Sequence, residues 1–527
     1  MRRKQWLFLV LMVVAAVLRL YRLDKYPLPM HQDELSNAYD AYSIVETGAD
    51  RAGARLPLVL RAAGAVDYRP ALYAWLATVP TRLFGFSPVS ARLPSAILGI
   101  ASLALLFGFA GRLIGEDFAL VTLAFAVFSP WHITYSRLAH EGAMLSGFFV
   151  ILFLWAWQRA AAQQYAAASL AATGFLIGLS SSAYQTTRLI APLLLVLVVF
   201  DAFRFARDKR QSVLVLAIAA FVGALPQLYV LVMEPEHFFA RLMATVPASG
   251  SESTSAVRSA IHGLSLVFGP RILFWPNMED TGYLAARLLF AELPFYYLGF
   301  LTLPKLRGSG SLRFRWYVYA TFAISIIPAV VTAHSASVRV SAALLILPIW
   351  TAAGVMWSAE FLSGHRVPPK LTYGIVGAGA IASIAFTAFM YFGSATVNGQ
   401  RSNNALVQMG QHLRVLAPRY DRVFVVDSPW YAGLHVAAFS GMHPSEFQKT
   451  RKVTVDANGW DYITSVGKYQ FLKPRELAPV ARAACGSKTR DLFVARSGLE
   501  NAPHLDSVWW HNEKYYFSEV RGTSFCK

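Results

Sequence analysis

The chain has 527 residues, of which 55% are hydrophobic and 15% are charged, and its mean hydropathy is +0.42. Soluble domains carry about 25% charged residues, so this composition excludes an ordinary soluble protein and indicates one that crosses a membrane several times. The net charge of +18 does not indicate a nucleic-acid partner, because the basic residues lie largely in short loops and form no soluble module with interleaved aromatic residues.

Eleven apolar segments predict an α-helical polytopic membrane protein, since each crossing needs roughly 20 mostly apolar residues. They lie at residues 6–23, 93–113, 118–135, 142–158, 166–182, 188–203, 212–232, 283–303, 315–332, 340–361 and 371–392. The first segment begins with basic residues but has no small-x-small cleavage site. We therefore expect it to be retained as a membrane helix and not removed as a signal peptide.

The charge of the short loops predicts the orientation of these helices. Three strongly basic loops, at residues 204–211, 305–315 and 363–370, fall on one side of the membrane, and the positive-inside rule makes that side the cytoplasm. The N-terminus is then cytoplasmic, and the basic loops attract anionic membrane lipids. The segments predicted to lie outside are 24–92, 132–141, 183–188, 233–282, 333–339 and the C-terminal tail.

The first outer loop, residues 24–92, contains two predicted helices. Residues 37–48 show helical spacing of aromatic and aliphatic side chains and end at Gly48. Residues 70–86 are apolar and aromatic but interrupted by a proline, so we expect a helix lying in the outer membrane interface. The second long outer segment, residues 233–282, is predicted to form a loop over the same face because it contains Ser, Pro and Gly.

Residues 393–527 predict a small extracytoplasmic α/β domain that follows a membrane module of residues 1–392. A helix, the buried strand "VFVVD" and a second helix are followed by the strand-rich stretches "YITSVGKYQFL", "RDLFVARSG" and "DSVWWHNEKYYFSEVR". The tail has no recognisable catalytic motif. It contains both cysteines of the chain, Cys485 and Cys526, and an oxidising compartment permits a disulfide between them.

Single arginines stand in three short outer turns, where the positive-inside rule disfavours them. These are Arg137, Arg188 and Arg339, and a fourth, Arg69, lies in the first outer loop. The guanidinium fork matches phosphate oxygens, so one interpretation is a shared phosphate-binding cavity. The alternative for each arginine taken alone is contact with lipid headgroups. Recurrence at four positions favours the phosphate cavity.

Asp33 and Glu34 lie in the first outer loop, shortly after the first predicted helix. A carboxylate near an anionic donor can act as the general base that takes a proton from an acceptor hydroxyl, while its neighbour orients a second group. The alternative is that Asp33 caps the following helix. Further polar residues on the predicted outer face are candidate substrate ligands, namely Asp67, Tyr68, His140, Glu141, Tyr184 and His334. Each of the two histidines, taken alone, also fits a structural role.

An ordered series of motifs resembles a known family. It comprises the "DE" after the first helix, "DYRP", "LFGFSPVSARLPSAILG", "FSPWHITYSRLAHEGAM" and "SSAYQTTRLIAPLLL". Over roughly residues 1–360 the chain is similar to the GT-C glycosyltransferases of the protein mannosyltransferase and lipid A aminoarabinose transferase type. The series as a whole is far more specific than any one of its motifs.

The resemblance implies transfer of a sugar from a polyprenyl-phosphate donor to a hydroxyl of a glycolipid, cell-surface polysaccharide or protein, on the outer face of the bacterial cytoplasmic membrane. It implies Asp33 as the catalytic base and Glu34 as its partner in the acceptor site. Arg69 falls where many relatives have the Lys of a "K-P-P" motif that meets donor phosphate, but the second Pro is missing here. His334 and Arg339 match an "H-x-N-R"-like turn loosely, because "HSASVR" has a longer spacing.

The implied mechanism is an inverting displacement. Asp33 deprotonates the acceptor hydroxyl, which attacks the anomeric carbon from the face opposite the leaving phosphate. Preorganised arginines stabilise the negative charge that develops on that phosphate. The scheme requires no cofactor, although some relatives bind a divalent metal.

Two other classes of protein stay open at this stage. A lipid-linked-sugar transporter or flippase would show paired halves, broken helices or charges near the membrane midplane. Here the charges collect at the predicted outer rim and no internal repeat is seen. A non-catalytic polysaccharide-binding scaffold would tolerate substitution of Asp33 and Arg69 and would depend on residues 393–527.

Overall fold

The computed structural model describes residues 3–27, 29–62, 67–245, 253–275, 286–308, 310–332, 337–389, 401–429, 431–455, 461–496, 504–510, 513–519 and 526. Its α-helices, in chain order, are α1 (Arg3–Leu20), α2 (Gln32–Thr47), α3 (Leu72–Phe84), α4 (Pro88–Leu113), α5 (Glu116–Phe128), α6 (Pro130–Tyr135), α7 (Glu141–Ala162), α8 (Ala167–Ser180), α9 (Thr187–Phe205), α10 (Lys209–Met233), α11 (Pro235–Thr245), α12 (Ser253–Phe268), α13 (Pro270–Phe274), α14 (Leu293–Thr302), α15 (Leu312–Val331), α16 (Ser341–Leu344), α17 (Leu347–Gly364), α18 (Pro369–Phe389), α19 (Arg401–Leu416), α20 (Ala432–Phe439), α21 (Pro444–Thr450) and α22 (Pro474–Cys485). The strands are β1 (Val59–Arg61), β2 (Tyr68–Pro70), β3 (Arg422–Val426), β4 (Lys452–Val455), β5 (Asp461–Val466), β6 (Tyr469–Leu472), β7 (Asp491–Ala495), β8 (His504–Trp510) and β9 (Glu513–Glu519).

A helix overlaps each of the eleven segments predicted to cross a membrane, but the number of crossings is not confirmed. Among the described residues, five helices are long and apolar enough to span a bilayer, namely α4, α7, α10, α15 and α18. A sixth span would be α17 joined to the preceding segment Val338–Leu344, at a bend of 43°. Other segments are shorter: α8 has 14 residues and α14 has 10, fewer than the roughly 20 of a single straight crossing.

The described elements form two compact units that interleave along the chain. The helical unit comprises residues 1–27, 69–73 and 92–396, and the α/β unit comprises residues 28–68, 74–91 and 397–527. Most of the first outer loop therefore belongs with the tail, whereas the sequence predicts a single division after residue 392. Order along the chain does not reveal this arrangement, because a domain is defined by the core that its segments share.

Glycines allow two helix pairs of the helical unit to pack with their backbones in contact. A Cβ added to Gly178 of α8 would meet the carbonyl oxygen of Ala220 in α10. In the same way, a Cβ on Gly299 of α14 would meet the carbonyl oxygen of Trp350 in α17. Small residues have this role in lipid, where van der Waals contact between close backbones replaces the hydrophobic drive for association.

We expect Gly299→Val to destabilise the helical unit by about 1–3 kcal/mol, because the added side chain has to push α14 away from α17. The measurement is the thermal unfolding midpoint of the detergent-solubilised protein. Gly377→Val in α18 is the matched control, since a Cβ at Gly377 has no other atom within 4 Å. Equal midpoints for the two variants would contradict the close packing of α14 on α17.

The α/β unit is built on a seven-stranded mixed sheet with the strand order β4-β5-β6-β3-β7-β9-β8. The central strand β3 runs parallel to β6 and β7, and the other neighbouring pairs are antiparallel. Val423 and Val425 of β3 pack on one face of the sheet, and Phe424 packs on the other with Phe493. Burial on both faces explains why this strand is an uninterrupted apolar run.

Helix α2 is part of the core of the α/β unit. Leu35 and Tyr39 are fully buried in the cluster that α19, α20 and the sheet also form. The Tyr39 hydroxyl donates to the carbonyl oxygen of Met442 at 3.3 Å. The side-chain nitrogen of Gln448 lies 2.8–3.0 Å from two hydroxyls and one carbonyl oxygen at the C-terminal end of α2. These contacts fix the segment that contains Asp33 and Glu34.

The helices predicted within the first outer loop are present, with shifted starts. Helix α2 begins at Gln32, ahead of the predicted start at residue 37, and ends at Gly48, whose φ of +70° suits a glycine. Helix α3 lies within the predicted range 70–86. It exposes Leu76, Val79 and Leu83 at helical spacing, which is the amphipathic pattern of an interfacial helix.

The prediction of a loop for residues 233–282 is wrong for the part of this segment that the structure describes. Helices α11, α12 and α13 occupy most of it. Pro235 and Pro270 are the first residues of α11 and α13, where the fixed φ of proline suits the first helical turn. The presence of these prolines was taken to indicate a loop, although they begin helices.

A disulfide joins Cys485 and Cys526, with the two Cα atoms 5.5 Å apart. Cys485 is the last residue of α22, and Cys526 packs against the small cluster that α22 forms with Phe424 and Phe493 on the second face of the sheet. The bond therefore attaches the end of the chain to the α/β unit.

Candidate functional site

Six of the residues singled out in the sequence form a connected series in the helical unit. They are Arg69, His140, Glu141, Tyr184, Arg188 and Arg339. They come from β2, the start of α7, the turn before α9, the start of α9 and the 3₁₀ turn before α16. These positions lie in a short strand, in turns or at helix starts, where polar side chains can meet without interrupting an apolar helix face.

Arg69 and Glu141 form the buried end of this series. Arg69 is 1% exposed, and its Nη1 atom lies 3.8 Å from Oε2 of Glu141, the first residue of α7. The preceding residue, His140, caps α7 by accepting a hydrogen bond from the Gly142 amide at 3.0 Å. A buried cation and carboxylate each lower the desolvation cost of the other, so the pair fixes the end of β2 against the start of α7.

Tyr184 connects this pair to the two remaining arginines. Its ring lies edge-on to that of His140, with centroids 6.2 Å apart. A Cβ on Gly142 would overlap the Tyr184 ring and the side chain of Val338, which lies next to Arg339. Glycine at this position therefore lets three separate chain segments come together.

Arg188 and Arg339 line one cavity of about 250 Å³ together with Tyr184. The Nη1 atom of Arg339 donates to Thr332 Oγ1 at 2.7 Å. The Nη1 atom of Arg188 donates to the carbonyl oxygen of Phe238 at 2.6 Å, and its guanidinium carbon lies 4.4 Å from the centre of the Phe238 ring. Both guanidinium groups are thus held in defined positions at the cavity wall.

A second cavity of about 470 Å³ shares Arg188 and Phe238 with the first. Its other lining residues come from α8, α9 and α10 and are mostly aliphatic, among them Ile177, Leu195 and Leu231. The pair of cavities thus combines a cationic end with an apolar channel, and Arg188 lies where they meet.

Three buried polar atoms near this junction have no hydrogen-bond partner among the described residues. They are Arg188 Nη2, Gln227 Nε2 and Thr186 Oγ1. Arg188 Nε donates to Gln227 Oε1 at 3.0 Å, so the first two groups are neighbours. A buried donor left unpaired costs about 1–3 kcal/mol, and native proteins rarely tolerate several together without a ligand or water. The arrangement suits an anion that accepts hydrogen bonds.

Arg137 has a different environment from the other arginines. It is 1% exposed, and its guanidinium donates to the carbonyl oxygens of Leu18, Tyr21, Arg22 and Tyr26 at 2.7–3.2 Å. A cation at this position satisfies the carbonyl groups that the end of α1 leaves unpaired. These contacts give Arg137 a structural role at the end of α1, and its predicted role as a phosphate ligand stays a prediction.

Three other predicted residues acquire no substrate role from the described geometry. His334 lies outside the described residues. Asp67 and Tyr68 are partly exposed residues of the α/β unit, and the carbonyl oxygen of Asp67 accepts a 2.7 Å bond from the Ala62 amide in the β1–β2 turn. Their roles as substrate ligands stay predictions.

The carboxylates Asp33 and Glu34 lie in the first turn of α2, within the α/β unit. The N-cap of α2 is His31, whose Nδ1 accepts from the Asp33 amide at 3.2 Å. Glu34 is 1% exposed, and its Oε2 accepts from the His31 amide at 3.1 Å. His31 and Glu34 together form a capping box. His31 and Glu34, and not Asp33, therefore cap α2, and Glu34 has a structural role.

The Asp33 side chain is about a third exposed and lines a cavity of its unit. Its Oδ2 lies 3.3 Å from His31 Nδ1. Burial opposes a charge on His31, but the carboxylates of Asp33 and Glu34 outweigh it and raise the pKa of the imidazole. Nδ1 can accept from the Asp33 amide only when it carries no proton, and it attracts the carboxylate only when protonated. His31 thus accompanies Asp33 in either state.

The α/β unit is expected to lose stability below about pH 6.5. His435 of α20 is 1% exposed, and burial lowers its pKa to about 4, with a bond to the Tyr431 carbonyl opposing this shift and the charge of His31 adding to it. Between these values the unfolded chain binds more protons than the folded one. The contribution of the buried, neutral His435 to the free energy of unfolding is complete above pH 6.5. It is lost as pH falls towards 4, by up to about 3 kcal/mol.

The measurement is the thermal unfolding midpoint of the full-length protein between pH 7 and pH 4.5. His435→Leu removes the titrating group and is expected to flatten this dependence, whereas His412→Leu, at a partly exposed histidine of α19, is expected to preserve it. An equally steep dependence in His435→Leu and wild type would show that other groups cause it.

The sequence did not single out several residues that complete the cavity of the helical unit. Gln227 and Phe238 lie in or beside apolar segments, and Thr332 follows the last turn of α15. A glutamine inside a predicted span, as Gln227 is, was the one available signal, because polar residues within membrane segments generally have functional partners. Among the described residues, no group of three or more His, Cys, Asp and Glu is suited to hold a metal ion.

Comparison with known proteins supplies the fold. Residues 68–229 match the family model of the dolichyl-phosphate-mannose-protein mannosyltransferases. The solved structure of ArnT from Cupriavidus metallidurans bound to undecaprenyl phosphate matches over 100% of both chains, with a TM-score of 0.62 and 14% identity. The chain has the GT-C glycosyltransferase fold. The GT-C fold extends over the α/β tail as well, because the ArnT match includes it.

Two further structures agree with the GT-C assignment. ArnT from the same organism in the apo state covers 97% of this chain and 98% of its own, with a TM-score of 0.59 and 13% identity. The oligosaccharyltransferase AglB from Archaeoglobus fulgidus, in complex with an inhibitory peptide and a dolichol-phosphate, covers 84% of this chain and 64% of its own, with a TM-score of 0.50 and 13% identity. No curated protein sequence matches the chain.

Proposed function

We propose that the protein is a glycosyltransferase of the bacterial cytoplasmic membrane that uses a polyprenyl-phosphate-linked sugar. It transfers the sugar to a hydroxyl of a glycolipid, cell-surface polysaccharide or protein on the outer face. The GT-C fold and the family match over residues 68–229 support a lipid-linked donor. The basic loops at residues 204–211, 305–315 and 363–370 support the orientation, with the reacting groups and the α/β unit outside.

The observation that carries the proposal is the junction of the two cavities at Arg188. A polyprenyl phosphate has a long apolar chain and a small anionic head, and the apolar channel of about 470 Å³ and the cationic cavity of about 250 Å³ provide for both parts. The unpaired Arg188 Nη2 and Gln227 Nε2 atoms are donors suited to phosphate oxygens. The ArnT structure in the comparison is of a complex with undecaprenyl phosphate, which supports the same ligand class here.

In the proposed mechanism, Arg188 and Arg339 neutralise the phosphate that leaves. Guanidinium groups held by Phe238 and Thr332 need little rearrangement as negative charge grows on the leaving oxygen, so they stabilise the transition state more than the ground state. The buried Arg69–Glu141 pair is proposed to position this site, since Glu141 already compensates much of the charge of Arg69.

Asp33 is the proposed general base. It takes the proton of the acceptor hydroxyl as that oxygen attacks the anomeric carbon, and the bond to the phosphate breaks on the opposite side, which inverts the configuration. Support comes from the side chain itself: it lines a cavity and is not used for helix capping, in contrast to Glu34. Glu34 is proposed to act on the acceptor site through the position that it gives the first turn of α2.

The experiment is a transfer assay combined with analysis of the cell envelope. Membranes of a deletion strain and of its complemented parent are compared by mass spectrometry of surface glycolipids, polysaccharides and exported proteins. The proposal predicts one sugar that is missing without the gene, together with accumulation of its polyprenyl-phosphate donor. The purified protein should then restore that sugar from the donor in vitro. If the protein were a lipid-linked-sugar flippase, the purified protein would not transfer the sugar in vitro. If it were a scaffold, the amount of donor would not change in the deletion strain.

A further inference from the structure

A separate cavity lies wholly within the α/β unit. It measures about 60 Å³, and its charged lining residues are Asp33, Arg51, Arg61, Arg451 and Asp461. Three guanidinium groups and the proposed catalytic base thus face one small space. The motifs that resemble GT-C glycosyltransferases lie within residues 1–360, whereas two charged residues of this cavity, Arg451 and Asp461, lie in the tail.

Two of these arginines already have carboxylate partners. Nη1 of Arg51 lies 2.9 Å from Oδ2 of Asp40, and Nε of Arg61 lies 2.6 Å from Oδ2 of Asp461. Arg51 Nη2 also donates to the carbonyl oxygens of Arg61 and Ala62 at 2.5 and 2.6 Å. These two arginines are therefore parts of the cavity wall and are largely neutralised.

Arg451 differs from them, because it makes no ion pair with any described residue. Its Nη2 lies 3.4 Å from the carbonyl oxygen of Ala52, a weak hydrogen bond, and its guanidinium carbon is 5.8 Å from the centre of the Phe447 ring. Burial, followed by the positive charges of Arg51 and Arg61, lowers the pKa of Arg451. The guanidinium of Arg451 therefore has no carboxylate within ion-pair distance among the described residues, and an anion in the cavity would supply one.

We propose that Arg451 binds an oxyanion carried by a saccharide acceptor, a phosphate or a carboxylate, and thereby brings a neighbouring hydroxyl of that acceptor to Asp33. The inference rests on the proposed role of Asp33 as base and names the class of acceptor for it. Arg451 is a binding residue in this scheme and takes no part in proton transfer.

The size and lining of the cavity favour this ligand. A space of about 60 Å³ suits one phosphate or carboxylate group, while the saccharide that bears it extends beyond the cavity. Gln32 and Ser36 add an amide and a hydroxyl to the lining, and both can hydrogen-bond to sugar hydroxyls. Repulsion between the oxyanion and Asp33 is reduced by His31, whose Nδ1 lies 3.3 Å from the Asp33 carboxylate.

The test is binding to the full-length protein in nanodiscs without any donor. Probes are inorganic phosphate, glucose 1-phosphate, glucuronate and a short polyglutamate peptide, titrated by calorimetry. We expect glucose 1-phosphate or glucuronate to bind and Arg451→Gln to weaken that binding at least about tenfold, the usual value of a charge-assisted hydrogen bond. Lys452→Gln removes the same charge from the neighbouring exposed side chain and is expected to change binding less than about twofold.

The two saccharide probes distinguish a phosphate from a carboxylate, and either result supports the proposal. Tighter binding of polyglutamate than of both saccharides would overturn the proposal in favour of an acidic protein as the ligand. Binding of inorganic phosphate alone would also overturn it, because it would exclude a saccharide as the ligand. Absence of binding, or equal effects of Arg451→Gln and Lys452→Gln, would also overturn it.

A measurement on the wild type covers the case in which Arg451→Gln does not fold. Phenylglyoxal modification of Arg451, followed by mass spectrometry, is expected to fall at least threefold on addition of the bound saccharide, while modification of Arg419 stays constant. Equal modification with and without the saccharide would contradict the site. Failure of the proposed function would appear separately, as absence of sugar transfer with intact anion binding.

Discussion

Asp33→Asn is expected to abolish sugar transfer while leaving the protein folded and able to bind its donor. A general base contributes roughly 10²–10⁴-fold to the rate, and an amide of the same shape cannot accept the proton. The loss should appear in kcat, with the KM for the donor nearly unchanged. The measurement is a steady-state transfer assay with the purified protein and the donor identified in the deletion strain.

Glu46→Gln is the matched control for this variant. Glu46 lies in the same helix, has a side chain that is 39% exposed, and has His443 as a neighbour at 3.5 Å. Its substitution should leave kcat within about twofold of wild type, because a surface ion pair contributes little. Glu34→Gln should instead lower the unfolding midpoint, since its carboxylate closes the capping box of α2. A fully active Asp33→Asn would refute the assignment of the base.

Arg188→Gln is expected to raise the KM for the polyprenyl-phosphate donor by roughly 10–100-fold, which corresponds to the loss of one or two charge-assisted hydrogen bonds to phosphate. kcat should fall as well, because the same group stabilises the leaving phosphate. Arg188→Lys keeps the charge but loses the fork, so it should recover only part of the activity. The measurement is the dependence of the transfer rate on donor concentration.

Arg204→Gln is the control for this second variant, since Arg204 lies at the other end of α9 and is exposed. It should leave both constants close to wild type. Donor binding can also be measured directly, as protection of the wild type and of Arg188→Gln from thermal unfolding by polyprenyl phosphate. Equal protection of the two proteins would exclude Arg188 from the donor site, whatever the outcome for Asp33.

Strongly periodic or strongly apolar parts of the chain could be predicted from sequence. The apolar run of β3, the helix that ends at Gly48 and the existence of a tail with an α/β sheet all follow from local patterns. The GT-C fold could be expected because its landmarks occur in order along residues 1–360. The number of crossings did not follow, because α8 and α14 are short and α17 is preceded by a bend.

Long-range pairing explains most of the differences. The tail alone does not show that β3 and the helices beside it require Leu35 and Tyr39 from the first outer loop. Residues 233–282 were misassigned because Pro235 and Pro270 begin helices instead of interrupting them. The pairing of the first outer loop with the tail has no local signature, whereas proline at a first helical position is a local signal that was taken for a loop.

The candidate site follows the same rule. Charge in an unfavourable turn drew attention to Arg188 and Arg339, which line one cavity, and their role at a phosphate stays a prediction. The same reasoning included Arg137, whose four carbonyl partners at the end of α1 belong to a segment more than a hundred positions earlier. Gln227 escaped notice because a single amide in an apolar helix has little weight beside a charge.

The tie between Gln448 and the end of α2 has a consequence for biosynthesis. Residues 28–68 leave the ribosome long before the tail is made, so during translation the buried Leu35 and Tyr39 lack the tail residues that form most of their cluster. Completion of this half of the molecule must wait until residues beyond 397 have emerged. A nonsense codon after the last predicted transmembrane helix would still remove the core residues that cover the segment around Asp33. The apolar side chains left exposed there would make the truncated protein a substrate for proteases.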